Sequence, residues 1–149
     1  MSLRLVLIGF LVFFIALSSK ASVDDFDLKT AKVYGEVERL IEKGDSVGIF
    51  NILYREDSVV AGEGLPAVAR NKSEVLKIID SVLAEVRSCR IHQDSAKGVS
   101  SHYSYTFVTY KCLPKNEGDV LSFRALYVWE ERNGELKVVA ELFGVGRMN

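Results

Sequence analysis

Four side chains of this 149-residue sequence could carry acid–base chemistry: Tyr34, Tyr54, His92 and Tyr127. A tyrosine hydroxyl can donate a hydrogen bond to a developing oxyanion, and a histidine can act as a base near neutral pH. No carboxylate partner for His92 is evident in the sequence, which favours a surface or core position for this residue. Tyr34 and Tyr54 occur at helical spacing, which first of all indicates packing in a core. The sequence therefore assigns no catalytic residue.

The charged residues do not indicate a catalytic or binding site either. Asp57 lies where a helix is expected to turn into a strand, which favours hydrogen bonds from backbone N–H groups over a place in a pocket. Arg90 and Arg124 would bind an anionic ligand only if they faced a pocket, and a solvated or paired position on the outer face is favoured. The sequence has no phosphate loop, nucleophile elbow or metal-binding pair at helical spacing, so we predict no cofactor and no metal ion.

Two cysteines, Cys89 and Cys112, lie in segments that are expected to form neighbouring strands. A turn centred near Ser100 and Ser101 would place them opposite each other, which allows a disulfide. A turn near Lys97 and Gly98 would instead place Cys89 opposite Phe107. Two buried free thiols are the alternative to a disulfide.

The first 21 residues have the pattern of a secretory signal peptide. Met1 to Arg4 are positively charged, Leu5 to Leu17 are almost wholly apolar, and Ser19-Lys20-Ala21 is a small-x-small cleavage site, with Ser18 as an alternative. An uncleaved membrane anchor is the rival interpretation, but the apolar run is shorter than the ~20 residues that a spanning helix needs. We therefore expect a secreted or periplasmic protein that has no membrane segment after cleavage.

Cleavage after Ala21 removes 21 of the 149 residues and leaves 128, which suits a single domain over residues 22–149. It also removes Arg4 and Lys20 but no acidic residue, so the net charge changes from −1 to −3. A mildly acidic chain without a basic cluster is a poor nucleic-acid binder.

Three amphipathic helices are indicated by apolar residues that recur at helical spacing. The first ends at Gly44, the second is capped by Asp45 or Ser46, and the third begins at Asn71 or Ser73. Asn71-Lys72-Ser73 also matches an N-glycosylation acceptor, although the helix cap is favoured. The apolar positions are Val33, Val37, Leu40 and Ile41, then Ile49, Phe50, Leu53 and Tyr54, then Leu76, Ile79, Val82, Leu83 and Val86.

Five segments read as strands because they are rich in β-branched and aromatic residues between turn formers. Asn133-Gly134 is the clearest turn, a two-residue hairpin that requires positive φ at both positions. The last four strands are expected to form an antiparallel meander. The segments are Ser58 to Val60, Arg87 to Gln93, His102 to Leu113, Val120 to Arg132 and Leu136 to Val145.

The order α-α-β-α-β-β-β-β predicts an α+β fold in which three helices cover the concave face of a strongly bent antiparallel sheet. The resulting cone would enclose a pocket. Alternation along the fourth strand places Phe123, Ala125, Tyr127 and Trp129 on the concave face. Aromatic and branched residues also remain for the outer face, so we predict a homodimer through the sheet. The candidate pocket residues are Tyr34, Val37, Tyr54, Asp57, His92, Tyr127 and Trp129.

Several of these segments together resemble the nuclear transport factor 2-like superfamily, and its SnoaL-like and ketosteroid-isomerase-like branches in particular. They are Gly44-Asp45 before an apolar helix, Tyr54-Arg55-Glu56-Asp57-Ser58-Val59-Val60, a helix after a Gly-Pro loop, and the closing hairpin from Trp129 to Asn133-Gly134. The resemblance covers nearly all of the chain after the leader. It implies the cone-shaped fold, which hosts enzymes, ligand carriers and interaction modules.

Isomerases of this fold resemble one another in using a helix tyrosine, an aspartate base and a protonated acid on a late strand. Here those positions fall on Val37, on Ala61 or Gly62, and on Tyr127 or Val128, so the catalytic set is not matched. The resemblance therefore implies an exported module that binds a small apolar or aromatic molecule, or a protein, without a recognisable catalytic set. The alternatives are a SnoaL-like acid–base enzyme (isomerase, cyclase or dehydratase) acting on an apolar small molecule, and a structural homodimerisation domain.

Overall fold

The computed structural model describes residues 25–146, and the predicted signal peptide lies outside this range. Three helices and five strands follow each other in the predicted order α-α-β-α-β-β-β-β. Within the described range, no helix is both long and apolar enough to cross a membrane. The elements are α1 over residues 25–43, α2 (Ser46–Leu53), β1 (Tyr54–Gly62), α3 (Lys72–Glu85), β2 (Val86–Gly98), β3 (Tyr103–Pro114), β4 (Leu121–Arg132) and β5 (Glu135–Val145).

Local side chains fix where the helices end and begin. Gly44 adopts a φ of 68°, which ends α1 in the left-handed conformation that glycine tolerates best. The Asp45 side chain then accepts a hydrogen bond from the Gly48 N–H at 2.8 Å and caps α2. Asn71 caps α3 in the same way by accepting from the Glu74 N–H at 3.0 Å. The caps are therefore Asp45 and Asn71 rather than their alternatives.

All five strands form one sheet in the order β1-β5-β4-β3-β2. Strands β2 to β5 form the predicted antiparallel meander, but β1 joins β5 in parallel, which makes the sheet mixed. The turn expected at residues 55–57 is absorbed into β1 as an irregularity between Tyr54 and Val59. There the Ser58 hydroxyl accepts from the Arg55 N–H and donates to the Val138 carbonyl, at 2.8 and 2.7 Å.

The last hairpin has the predicted turn, and the register of β2 and β3 is one of the two that the sequence allowed. Asn133 and Gly134 have φ values of 55° and 77°, as a two-residue turn between β4 and β5 requires. Strands β2 and β3 place Cys89 opposite Cys112, and the two residues form a disulfide. The register therefore follows the turn near residues 100 and 101, with irregularities between Val86 and Ser88 and between Gln93 and Ser95.

The concave face of the sheet packs against the helices. Trp129 and Tyr127 of β4 are both fully buried there, beside Ala125. The Tyr34 hydroxyl of α1 lies 2.8 Å from the Thr106 hydroxyl, which also accepts a hydrogen bond from the Trp129 indole N–H at 2.9 Å. This shared hydroxyl fixes the first helix over the middle of the sheet.

The edge strand β2 is protected by α1. The Glu38 carboxylate accepts a hydrogen bond from the Ile91 backbone N–H at 2.7 Å and pairs with Arg90 at 2.8 Å. The Gln93 side chain donates to Asp27 at 3.0 Å. The bond to Ile91 occupies a backbone N–H that another strand could otherwise pair with.

The outer face of the sheet carries an apolar row across β3, β4 and β5. Phe107, Leu126 and Leu142 are successive partners in the two registers, and Leu142 is 57% exposed. Tyr105 packs edge-on against Phe107 beside this row. A homodimer through this face stays a prediction.

Candidate functional site

A cavity of about 130 Å³ lies between the helices and the concave face of the sheet. Its wall is formed by all three helices and by all five strands, with Tyr54 contributed by β1, and it is almost wholly apolar. The disulfide between Cys89 and Cys112 is part of the wall. The lining residues are Val37, Ile41, Ile49, Leu53, Tyr54, Ile78, Ile79, Val82, Leu83, Cys89, Tyr110, Cys112, Phe123, Arg124, Ala125, Tyr127, Glu141 and Phe143.

Glu141 of β5 is the acidic residue among those that line the cavity in the described part of the chain. The Tyr54 hydroxyl donates a short hydrogen bond to one oxygen of its carboxyl group. Within residues 25–146, the other oxygen takes part in no hydrogen bond with protein. The apolar cavity thus ends in a carboxyl group that has one oxygen available for a ligand.

The inward direction of Glu141 results from a register shift in β5. Val128 of β4 pairs with Ala140, whereas the next residue, Trp129, pairs with Val138. One extra residue, Val139, is therefore accommodated in β5, and the inward positions change from the even to the odd series. Without this bulge, the alternation that buries Leu136 and Val138 would direct Ala140 inward and Glu141 outward.

Two further tyrosines extend the polar end of the cavity. The hydroxyl oxygens of Tyr110 and Tyr127 are 2.5 Å apart. The neighbouring Tyr127 hydroxyl opposes the rise in the pKa of Tyr54. Three phenol groups from β1, β3 and β4 thus lead to the carboxyl group of Glu141. Tyr110 and Glu141 were not among the residues that the sequence indicated.

Burial sets the protonation of this cluster. It raises the pKa of Glu141 from 4.5 to about 7, because a carboxyl group that is removed from water favours its neutral form. The hydrogen bond from Tyr54 acts in the opposite direction but is weaker. Burial, followed by the charge of Glu141, raises the pKa of Tyr54, Tyr110 and Tyr127. Near neutral pH the three phenols are therefore protonated and the carboxyl group is about half ionised.

The residues predicted to line a pocket have different positions. Val37, Tyr54 and Tyr127 line the cavity. Tyr34 and Trp129 lie in the adjacent core, in edge-on ring contact with a centroid distance of 5.9 Å. Asp57 and His92 are exposed, and neither lines the cavity; the side chain of His92 is 77% accessible and lies 3.8 Å from Asp94. The cavity therefore brings three of the seven predicted residues together.

One glycine shapes the wall beside Glu141. A Cβ atom at Gly62 would lie within 2.4 to 2.5 Å of three atoms of the Phe143 ring, closer than any real contact. The ring of Phe143 therefore packs directly on the backbone of β1, and its position depends on the absence of a side chain at residue 62. Alignment with isomerases had placed the missing base at Ala61 or Gly62, and Gly62 instead accommodates an aromatic wall residue.

Comparison with known proteins identifies the fold. A ketosteroid isomerase-like protein from Erwinia carotovora atroseptica is 15% identical, with a TM-score of 0.64 over 79% of this chain and 94% of that one. A nuclear transport factor 2-like protein of unknown function from Shewanella oneidensis is 10% identical, with a TM-score of 0.65 over 78% and 96%. A candidate dehydratase of the same fold from Streptomyces avermitilis is 13% identical, with a TM-score of 0.65 over 84% and 99%.

No family model and no curated protein matches the sequence. At identities of 10 to 15%, the structural likeness shows the fold alone. The chain thus has the α+β cone of the nuclear transport factor 2-like fold, as the resemblance implied.

The raised pKa of Glu141 predicts a pH-dependent stability. Between pH 4.5 and about 7 the folded protein holds a proton that the unfolded chain releases, so this group lowers stability as the pH rises. The upper limit of the loss is roughly 3 kcal/mol. Glu141→Gln removes the titration and keeps an oxygen that can accept from Tyr54. We expect the variant to exceed the wild type in free energy of unfolding above pH 7, by a margin that shrinks towards pH 4.

Urea denaturation of both proteins from pH 4 to pH 8 measures this difference. Glu117→Gln, on the exposed loop between β3 and β4, is the matched control and should follow the wild type at every pH. A margin between Glu141→Gln and the wild type that does not change with pH would contradict the buried position of this carboxyl group.

Proposed function

We propose that the cavity binds a small, largely apolar molecule with one polar group at Glu141. The observation that carries this proposal is an apolar cavity that ends in a carboxyl group with one oxygen available to a ligand. A volume of about 130 Å³ is comparable to the ~150 Å³ of an engineered apolar cavity that binds benzene. The ligand or its buried part is therefore about the size of one ring.

Toluene is a suitable first probe because it tests the apolar part of the cavity alone. Val82 lines the cavity from α3, and Val82→Phe would fill part of it, whereas Leu76 packs on the core from the same helix without lining the cavity. We expect saturation-transfer NMR to detect toluene binding to the wild type and to Leu76→Phe. In Val82→Phe the affinity should fall at least tenfold.

Equal binding of toluene to Val82→Phe and to the wild type would place its site elsewhere. An absence of binding at millimolar toluene would overturn the proposal. Both variants are first compared with the wild type by circular dichroism, so that a loss of folding is not read as a loss of binding.

A second candidate function is proton transfer, which the position of Glu141 beside Tyr54 favours. A carboxylate with a pKa near 7 can remove a proton from a carbon next to a carbonyl group, and a phenol can donate to the enolate oxygen that forms. Tyr54 would have to turn its hydroxyl from Glu141 to the substrate for this step. Binding therefore comes first among the proposed functions, because it requires no such rearrangement.

Cyclohexanone in deuterated water tests this second function. Removal of an α-proton by Glu141 and return of a deuteron would exchange the α-hydrogens, which NMR measures directly. We expect the wild type to exceed the buffer rate, Glu141→Gln to lose this acceleration, and Tyr54→Phe to reduce it. His92→Ala, at an exposed position outside the cavity, is the control and should retain it. Exchange at the buffer rate with the wild type would exclude this ketone chemistry.

We further propose that the protein is exported with cleavage after Ala21. The disulfide supports this proposal, because paired cysteines persist in oxidising compartments. The full-length chain can be expressed in a host that exports proteins through the Sec pathway. N-terminal sequencing of the soluble form should then give Ser22 as its first residue. Retention of Met1 in a membrane fraction would support an anchor instead.

A further inference from the structure

The polar end of the cavity has a surplus of hydrogen-bond acceptors. Tyr54 donates its hydroxyl proton to Glu141, and Tyr110 and Tyr127 share one hydrogen bond. Neither of these bonds reaches the second oxygen of the Glu141 carboxyl group, which accepts no hydrogen bond from protein within residues 25–146. The unused capacity is then the second oxygen of Glu141. A ligand that completes this network must bring a donor of its own.

The protein supplies no cation to the Glu141 carboxyl group in the described range. The pKa of this group is set by burial and by the Tyr54 hydroxyl, without a contribution from a basic side chain. Arg124 is the basic residue among the lining residues, but its Nε lies beside Gly144, 3.5 Å from where a Cβ atom there would be. Gly144 is its partner across β4 and β5, so this side chain follows the outer face. The ionised carboxylate therefore has no counter-ion within the cavity.

The surrounding wall favours a cation over a neutral donor. Aromatic rings present a negative face that attracts an ammonium group within about 6 Å, most strongly where water is excluded. The cavity combines this kind of wall with one carboxyl group. The aromatic lining residues are Tyr54, Tyr110, Phe123, Tyr127 and Phe143.

We propose that the ligand of this cavity is a small organic amine, bound as its ammonium ion, with N–H groups that donate to Glu141 and an apolar body that fills the remaining space. The proposal rests on the binding function proposed above and names its ligand class. An ammonium ion supplies both the missing donor and the missing counter-charge. A neutral alcohol supplies the donor alone, and a carboxylate supplies neither.

Binding of an ammonium ion to this site is linked to pH. Below pH 7 most of the Glu141 carboxyl groups carry a proton, and each must release it for the charge pair to form. The groups that face the carboxyl group from the neighbouring strands are Tyr54, Tyr110 and Tyr127. Their pKa values are raised, so they stay neutral over this range. The affinity should therefore fall up to tenfold for each pH unit below 7 and be constant above it.

Three ring compounds of similar size separate the ligand classes: benzylamine, benzyl alcohol and benzoate. Calorimetric titration at pH 8 should give a dissociation constant for benzylamine at least tenfold below that for benzyl alcohol, with benzoate weakest. At pH 5, where benzylamine is still an ammonium ion, most of this preference should disappear. Glu141→Gln should remove the preference for benzylamine and its pH dependence.

The outcomes separate the two proposals. Equal affinity for benzylamine and benzyl alcohol at pH 8, or tightest binding of benzoate, would overturn the amine proposal and leave the binding function intact. Failure of all three compounds and of toluene to bind would overturn both. If Glu141→Gln does not fold, titration of benzylamine into the wild type in buffers of different ionisation enthalpy decides the question. Binding should release protons near pH 6 and almost none at pH 8.

Discussion

The bulge at Val139 determines which side chains of β5 face the helices. Before it, Leu136 and Val138 are buried against the core in the ordinary alternation of a strand. After it, the inward residues are Glu141 and Phe143, the carboxyl group and one aromatic wall of the cavity. The extra residue at Val139 thus brings a carboxyl group to the inner face of β5.

Strand β5 lies between β1 and β4, which carry Tyr54 and Tyr127 of the site. β5 pairs with β1 in parallel and with β4 in antiparallel, so Glu141 lies between Val60 and Tyr127 in the two registers. The irregularity of β1 after Tyr54, held by the Ser58 hydroxyl, leaves the Tyr54 ring beside this carboxyl group. Helices on one face exclude water and raise the pKa of Glu141, which links the packing of the core to the chemistry of the site.

The fold is shared with proteins named as isomerase-like and as a candidate dehydratase, so the fold alone does not identify the chemistry of the polar cluster. The resemblance to isomerases would put their helix tyrosine and their acid after the short strand at Val37 and at Ala61 or Gly62. The carboxyl group comes instead from β5 and the phenols from three different strands. One fold can thus carry its polar groups at different positions.

The sequence by itself determined the features that depend on a few adjacent residues. Gly44 and Asn133-Gly134 adopt positive φ where helix and hairpin require it, and helical spacing predicted the three helices. The disulfide pairing was open between two registers, because two turns centred three residues apart were both compatible with the local sequence. Only the tertiary structure decided that Glu141 faces inward. An alternating pattern does not reveal where a strand accommodates an extra residue, and the burial that shifts a pKa is produced by distant segments packing together.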